Sequence, residues 1–160
     1  MILQGVKTYQ SIISQKLTTG NVEHMSAEEI LVINQLFPLK IMDGGVRQGI
    51  LSDESNHPMG LKCLLQSCCN RNSAVLMTKT PETVVVCIDR TSSSYILLDS
   101  HPRHNTLNAS NAYAKIHTNL DDLVRTLELI FPYTSLGNDV PEMMAMMYNS
   151  FDLYPLQYSK

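Results

Sequence analysis

Nowhere in the chain do two Lys or Arg residues stand side by side, and the formal net charge is −3. A protein that tracks nucleic-acid phosphates needs a basic stripe, so nucleic acid is not an expected partner. No apolar run approaches the roughly 18 residues of a membrane-spanning helix, and the N-terminus lacks the layout of a signal peptide, so no membrane segment is expected. Glycine is sparse. The Gly44-Gly45 pair reads as a turn, and no Gly-rich stretch leads into a helix with a following Lys-Ser/Thr, which excludes a phosphate-binding loop. Cysteine is scarce as well. Cys63, Cys68 and Cys69 fall within seven residues and Cys87 lies in an apolar run, an arrangement unlike a disulfide framework. A reducing cytoplasmic or nuclear setting follows. The Cys63-x4-Cys68-Cys69 spacing is also unlike a zinc site, even with His101 and His104 added, so neither metal nor cofactor is expected.

What remains is a chain of 160 residues with 44% apolar and 17% charged residues, enough for one domain with its own core. Ile2, Val6, Tyr9, Ile13 and Leu17 recur at helical spacing, so the chain opens inside a helix, which points to an N-terminally truncated domain. Ser26-Ala27-Glu28-Glu29 is a capping box that launches a second helix through Leu36. The stretch 39–51 reads as a short hairpin or a pair of edge strands, and Pro58 to Cys69 as a short helix striped by Leu61, Leu64, Leu65 and Cys68.

The centre of the chain is β-rich. Ser73–Thr78, Thr83–Arg90 and Tyr95–Asp99 are three apolar runs separated by polar turns, and Asn111–His117 is a fourth strand. Asn119 or Thr118 then caps a helix with Leu120, Leu123, Val124, Leu127 and Ile130 on one face. A last helix, from Pro141 to about Tyr148, is full of methionine, for which core filling is favoured over a pliable binding surface. The Tyr-rich tail after it is either a docking segment or a final packing layer. Helices, then a mostly antiparallel meander, then helices again make an α+β protein.

Chemistry concentrates at Asp99-Ser100-His101, where the third apolar run ends. A carboxylate and an imidazole two residues apart project from the same side of an extended chain, so one can orient the other. That suits a general base and its orienter, two members of a thiol or hydroxyl triad. The alternative is a polar strand end in which Asp99 caps a turn and His101 is merely solvated. The polar loop from Pro102 to Ser110 has the make-up of a cleft rim, and its Arg103, His104 and Asn105 are candidate binding residues. Among the cysteines, Cys63 is the best-placed candidate nucleophile, in the first turns of the short helix. Cys87 reads as strand packing, and Cys68 and Cys69 lie at the wrong end of the helix dipole.

Tyr95-Ile96-Leu97-Leu98-Asp99-Ser100-His101, followed by a polar loop, Ala112-Tyr113 and the Asn119–Phe131 helix, resembles the herpesvirus large tegument protein deubiquitinase domain. The resemblance is firmest over residues 83–131. It implies a papain-like, ubiquitin-specific cysteine protease fold in which His101 is the general base and Asp99 its orienter. That family carries its nucleophilic Cys, preceded by an oxyanion-hole Gln, far upstream of the Asp-x-His. Here no Cys precedes Cys63, and Gln4, Gln10 and Gln15 sit within a helical pattern. The expectation is therefore a deubiquitinase-like interaction module that binds ubiquitin or another protein of its pathway and does not cut. The alternative is an active deubiquitinase that uses Cys63 with His101 and Asp99, or whose nucleophile lies outside this chain. A third reading is an unrelated α+β scaffold.

Overall fold

The computed structural model describes residues 39–41, 45–52, 57–69, 74–137 and 139–158. The helices expected over 2–17 and 26–36, and the three upstream glutamines, lie outside the described residues. Two compact units divide the chain: Met1–Lys40 with Ser159–Lys160, and Ile41–Tyr158. Apart from a short strand β1 (Leu39–Ile41), all that follows belongs to the second.

Its elements in chain order are β2 (Arg47–Ile50), α1 (Leu61–Cys69), β3 (Ala74–Lys79), β4 (Glu82–Asp89), β5 (Ser94–Asp99), α2 (His104–Leu107), β6 (Tyr113–His117), α3 (Leu120–Ile130), α4 (Glu142–Tyr148) and β7 (Ser150–Tyr158). Within this unit the strands lie side by side as β2-β7-β3-β4-β5-β6, and the five pairings are antiparallel. The α+β architecture expected from the sequence is the one observed.

The meander β3-β4-β5-β6 follows from the runs of β-branched and aliphatic residues that the turns separate. Its register aligns Met77 with Val84 and Val84 with Asp99, so these three share one face with Val75, Val86 and Leu97. That face is the core side. Val75, Met77, Val86 and Leu97 have no exposed surface, and α1 and α3 bring Leu61, Leu65, Cys68, Leu123, Val124 and Leu127 onto them. Burying each such side chain contributes about 1.5–3 kcal/mol before the entropy of ordering it is charged against it. Asp99 therefore enters the core by strand alternation alone.

Helix α3 starts where Asn119, in extended backbone, accepts a hydrogen bond from Asp122 N at 2.8 Å; Asp121 and Asp122 complement the dipole of its first turn. It runs along the core face and ends at Phe131.

Three readings of the sequence change here. The tail is a nine-residue strand between β2 and β3, with Pro155 opposite Val75; a proline argues against an interior strand, which hid it. The expected core role of the methionines fails: Met143, Met144, Met146 and Met147 are all exposed on α4, with Met143 at 74%. Helix α4 is short, and its junction with β7 is fixed instead by Asn149, which is 1% exposed and exchanges hydrogen bonds with the Thr134 backbone at 2.9 and 3.0 Å. The polar loop after His101 contains a short helix, α2, closed by backbone bonds between Arg103 and Ala109.

Candidate functional site

Strand β5 ends at Asp99, which lies between Val84 of β4 and Tyr113 of β6. The chain then turns tightly. The His101 backbone N–H donates to Asp99 Oδ1 at 2.9 Å, and the ring nitrogen Nδ1 lies 3.0 Å from the same oxygen. The other oxygen, Oδ2, accepts from Arg103 Nε at 2.8 Å and faces the Tyr113 hydroxyl at a longer 3.4 Å. The Asp99 side chain is wholly buried, whereas the His101 side chain is 42% exposed.

The electrostatics follow from this packing. Burial pushes the Asp99 carboxyl upward, but the Arg103 guanidinium together with the N–H and ring of His101 outweighs it and leaves the pKa below the ordinary value. Asp99 is therefore an anion that only accepts hydrogen bonds. A neutral His101 ring complements this carboxylate when its proton sits on Nδ1, which leaves Nε2 without one. Nε2 has no partner among the described residues. Tyr113, in contact with the same carboxylate, is pushed up to about 12 by burial and by the Asp99 charge, so it stays a neutral phenol.

Arg103 is itself held from several sides. Its terminal nitrogen donates to Glu82 Oε2 at 2.6 Å, and the guanidinium carbon lies 5.8 Å from the centre of the Phe131 ring. Burial lowers the guanidinium's pKa, but the bonds to Glu82 and Asp99 more than offset it, and the net shift is upward. Glu82 opens β4, two residues ahead of the Val84 that pairs with Asp99, and so projects past the sheet end where Arg103 returns. The Arg103 charge four residues after Asp99 is legible in the sequence; Glu82 is not, because only the register of β4 and β5 brings it there.

Asp99, His101 and Arg103 are thus brought together. His104 and Asn105 are exposed on α2, in the same loop as Arg103. The cysteines lie elsewhere. Cys87 pairs with Ile96, three residues back along β5 and about 10 Å from Asp99 at strand spacing. Tyr95, whose phenol is raised by burial and by the nearby Cys69, marks the far end of the same strand. Cys63 follows Lys62, whose ammonium pairs with Asp121 in the first turn of α3 at 2.9 Å. Arg103 lies beside Phe131, at the other end of that 11-residue helix, about 16 Å away along its axis. Cys63 and Cys87 are thus both set apart from the His101 ring. Burial raises the thiols of Cys68 and Cys87, and pushes Cys69 up to about 12.

Chemically, an imidazole held against a buried carboxylate has the geometry that a base and its orienter require. Among the described residues no group of three His, Cys, Asp or Glu side chains could hold a metal ion, and no helix is long and apolar enough to cross a membrane.

The chain matches no protein-family model, and no curated protein matches it in sequence. In fold it is similar to the ubiquitin-specific protease encoded by the murine cytomegalovirus tegument protein M48, solved in complex with a ubiquitin-based suicide substrate. The TM-score is 0.53 at 12% identity, and the match covers 91% of this chain and 60% of that one. This chain shares a deubiquitinase-like α+β fold with that viral protease.

Proposed function

We propose that this protein is a deubiquitinase-like module that recognises ubiquitin at the His101 end of its sheet and does not cleave it with the residues described. The observation that carries the reading is a built base without an attacking sulfur. Asp99 and His101 are 3.0 Å apart at a sheet end, in a fold shared with a ubiquitin-specific protease, while Cys63 and Cys87 stand on parts of the fold away from that ring. Without a nucleophile the acyl-enzyme route is closed.

Binding at this end is also supported by α4. Lys79 Nζ donates to the Tyr148 carbonyl at 3.1 Å, and Lys79 pairs across the sheet with Glu82, the partner of Arg103. The exposed methionines of α4 therefore flank the same end of the sheet, and flexible, polarizable side chains suit a protein-binding surface. Cys63, Cys68, Cys69 and Cys87 are not joined in disulfides among the described residues, in keeping with a cytoplasmic or nuclear setting.

The test is a titration of the isotopically labelled chain with ubiquitin, followed by NMR. Shifts confined to His101, the 102–110 loop and α4 are expected. Unchanged spectra at millimolar ubiquitin would remove ubiquitin as the partner.

A second reading is favoured by the completeness of the base itself. Four donors load the Asp99 carboxylate, more than a solvated strand end needs. In this reading His101 activates a thiol that lies outside the described residues. A ubiquitin-based thiol probe distinguishes the two. A covalent adduct lost in His101→Ala supports the enzyme, and mass spectrometry of the adduct identifies the nucleophile. No adduct supports the binding module.

A further inference from the structure

Arg103 and Glu82 belong to no part of the base-and-orienter pair, yet the pair's geometry depends on them. We propose that they form a positioning clamp: Arg103, oriented by Glu82, locks the rotation of the Asp99 carboxylate and thereby selects the Nδ1–H form of His101. This deepens the reading of His101 as a base; its test reads the ring directly, with no ubiquitin present, so the two stand or fall separately.

A lone Asp would be free to turn its carboxylate. The terminal torsion of an aspartate is broad, and its two oxygens are equivalent until something distinguishes them. The His101 ring and backbone N–H both use Oδ1. Turning the carboxylate away would break both bonds together, and only a partner on Oδ2 resists that turn. Arg103 Nε is the close one, at 2.8 Å, while the Tyr113 hydroxyl at 3.4 Å is too long to hold the oxygen by itself.

Arg103 is suited to the task because its fork is rigid. Nε faces Asp99 and the terminal nitrogen faces Glu82, so one planar group spans two carboxylates on neighbouring strands. Its backbone is anchored as well: its N–H donates to Ala109 O at 2.7 Å, and its carbonyl accepts from Leu107 N at 2.9 Å. Its side chain is only 12% exposed. A lysine offers a single point charge and cannot reach both acceptors in this geometry. In the other tautomer Nδ1 would be a lone pair facing an anion, and the nitrogen turned outward would carry the proton and could not act as a base.

The experiment measures ring 15N shifts of His101 at pH 8, where an ordinary imidazole is neutral. The native chain should show Nδ1–H as the dominant tautomer. Arg103→Met should move the tautomer ratio about fivefold toward Nε2–H, the size of one ordinary hydrogen bond's net contribution. Glu82→Gln, which keeps the Arg103–Asp99 contact but weakens its orientation, should move the ratio in the same direction by less. Arg103→Lys should fall between native and Met. A folded Arg103→Met chain with the native ratio overturns the proposal. If that variant does not fold, Glu82→Gln decides alone, and a native ratio there overturns it equally.

Discussion

Arg103 Nε and the His101 ring grip different oxygens of one buried carboxylate, at 2.8 Å on Oδ2 and 3.0 Å on Oδ1 of Asp99. With Glu82 on the far side of the guanidinium, charge alternates along the line Glu82, Arg103, Asp99, and that line ends at the His101 ring. A buried anion is tolerable only when its lone pairs are used and a countercharge is close. Both conditions are met at Asp99, and His101 receives an oriented acceptor as a result.

The Asp99→Asn substitution keeps the shape and removes the charge, leaving an amide N–H facing a donor on one side or the other. It should destabilise the unit by about 2 kcal/mol at pH 7, since Arg103 retains Glu82. The native carboxyl has a pKa below its unfolded value, so its contribution is fully present above about pH 4 and is lost as pH falls through the folded value. Urea midpoints of the two chains should therefore converge as pH is lowered from 5 toward 2. A constant gap over that range would contradict the assignment.

His117 presents the opposite case. It is 5% exposed at the end of β6, and its Nε2 has no hydrogen-bond partner among the described residues. Burial and the Lys115 ammonium lower its pKa, with Asp122 opposing them weakly. The unfolded chain therefore binds the proton more readily, and the native unit loses stability as pH falls below about 6.5, until the folded imidazole protonates too. His117→Leu removes the orphan nitrogen and should raise stability at pH 6 by about 1 kcal/mol. The gain should shrink at pH 8; equal gains at both would mean the imidazole's charge plays no part.

Much of the fold is legible in the sequence. The four apolar runs of the meander follow from period-two alternation and the Asn119 cap from local capping chemistry, whereas Asp99 meets His101 through a turn that its own carboxylate caps, not through the extended chain the sequence suggests. Strand β7 is not legible there, because Pro155 disguises an interior strand whose partners, β2 and β3, lie roughly 75 to 100 residues earlier. The Glu82–Arg103 contact was hidden for a related reason: it depends on register between strands, which no local pattern records. The methionines misled because apolar residues at helical spacing read as core, and only the tertiary arrangement leaves α4 uncovered.

Gly49 shows how tightly β2 is packed against its neighbours. A Cβ there would collide with the Phe151 ring and come within 2.7 Å of Leu64 Cδ1. Phe151 is 2% exposed, so its ring has little room to retreat. Gly49→Ala should cost about 2 kcal/mol, the usual scale of overpacking a core. Pairing it with Phe151→Leu, which vacates the contested volume, should recover part of that loss. A double-mutant cycle with purely additive costs would show that the two sites do not meet.

The thiols give the sharpest check on the absence of a described nucleophile at His101. Cys68, Cys69 and Cys87 are all held in the thiol form by burial, Cys69 most strongly. Brief iodoacetamide treatment of the native chain at pH 7.5 should therefore leave these three unmodified, and half-buried Cys63 should be the first of the four to react. Because Cys63 lies at the far end of α3 from Arg103, its rate should not change in His101→Ala. A nucleophile activated by that imidazole would slow by orders of magnitude in the same variant. A large drop at Cys63 would place it at the site after all, and would turn the binding module into a protease that uses it.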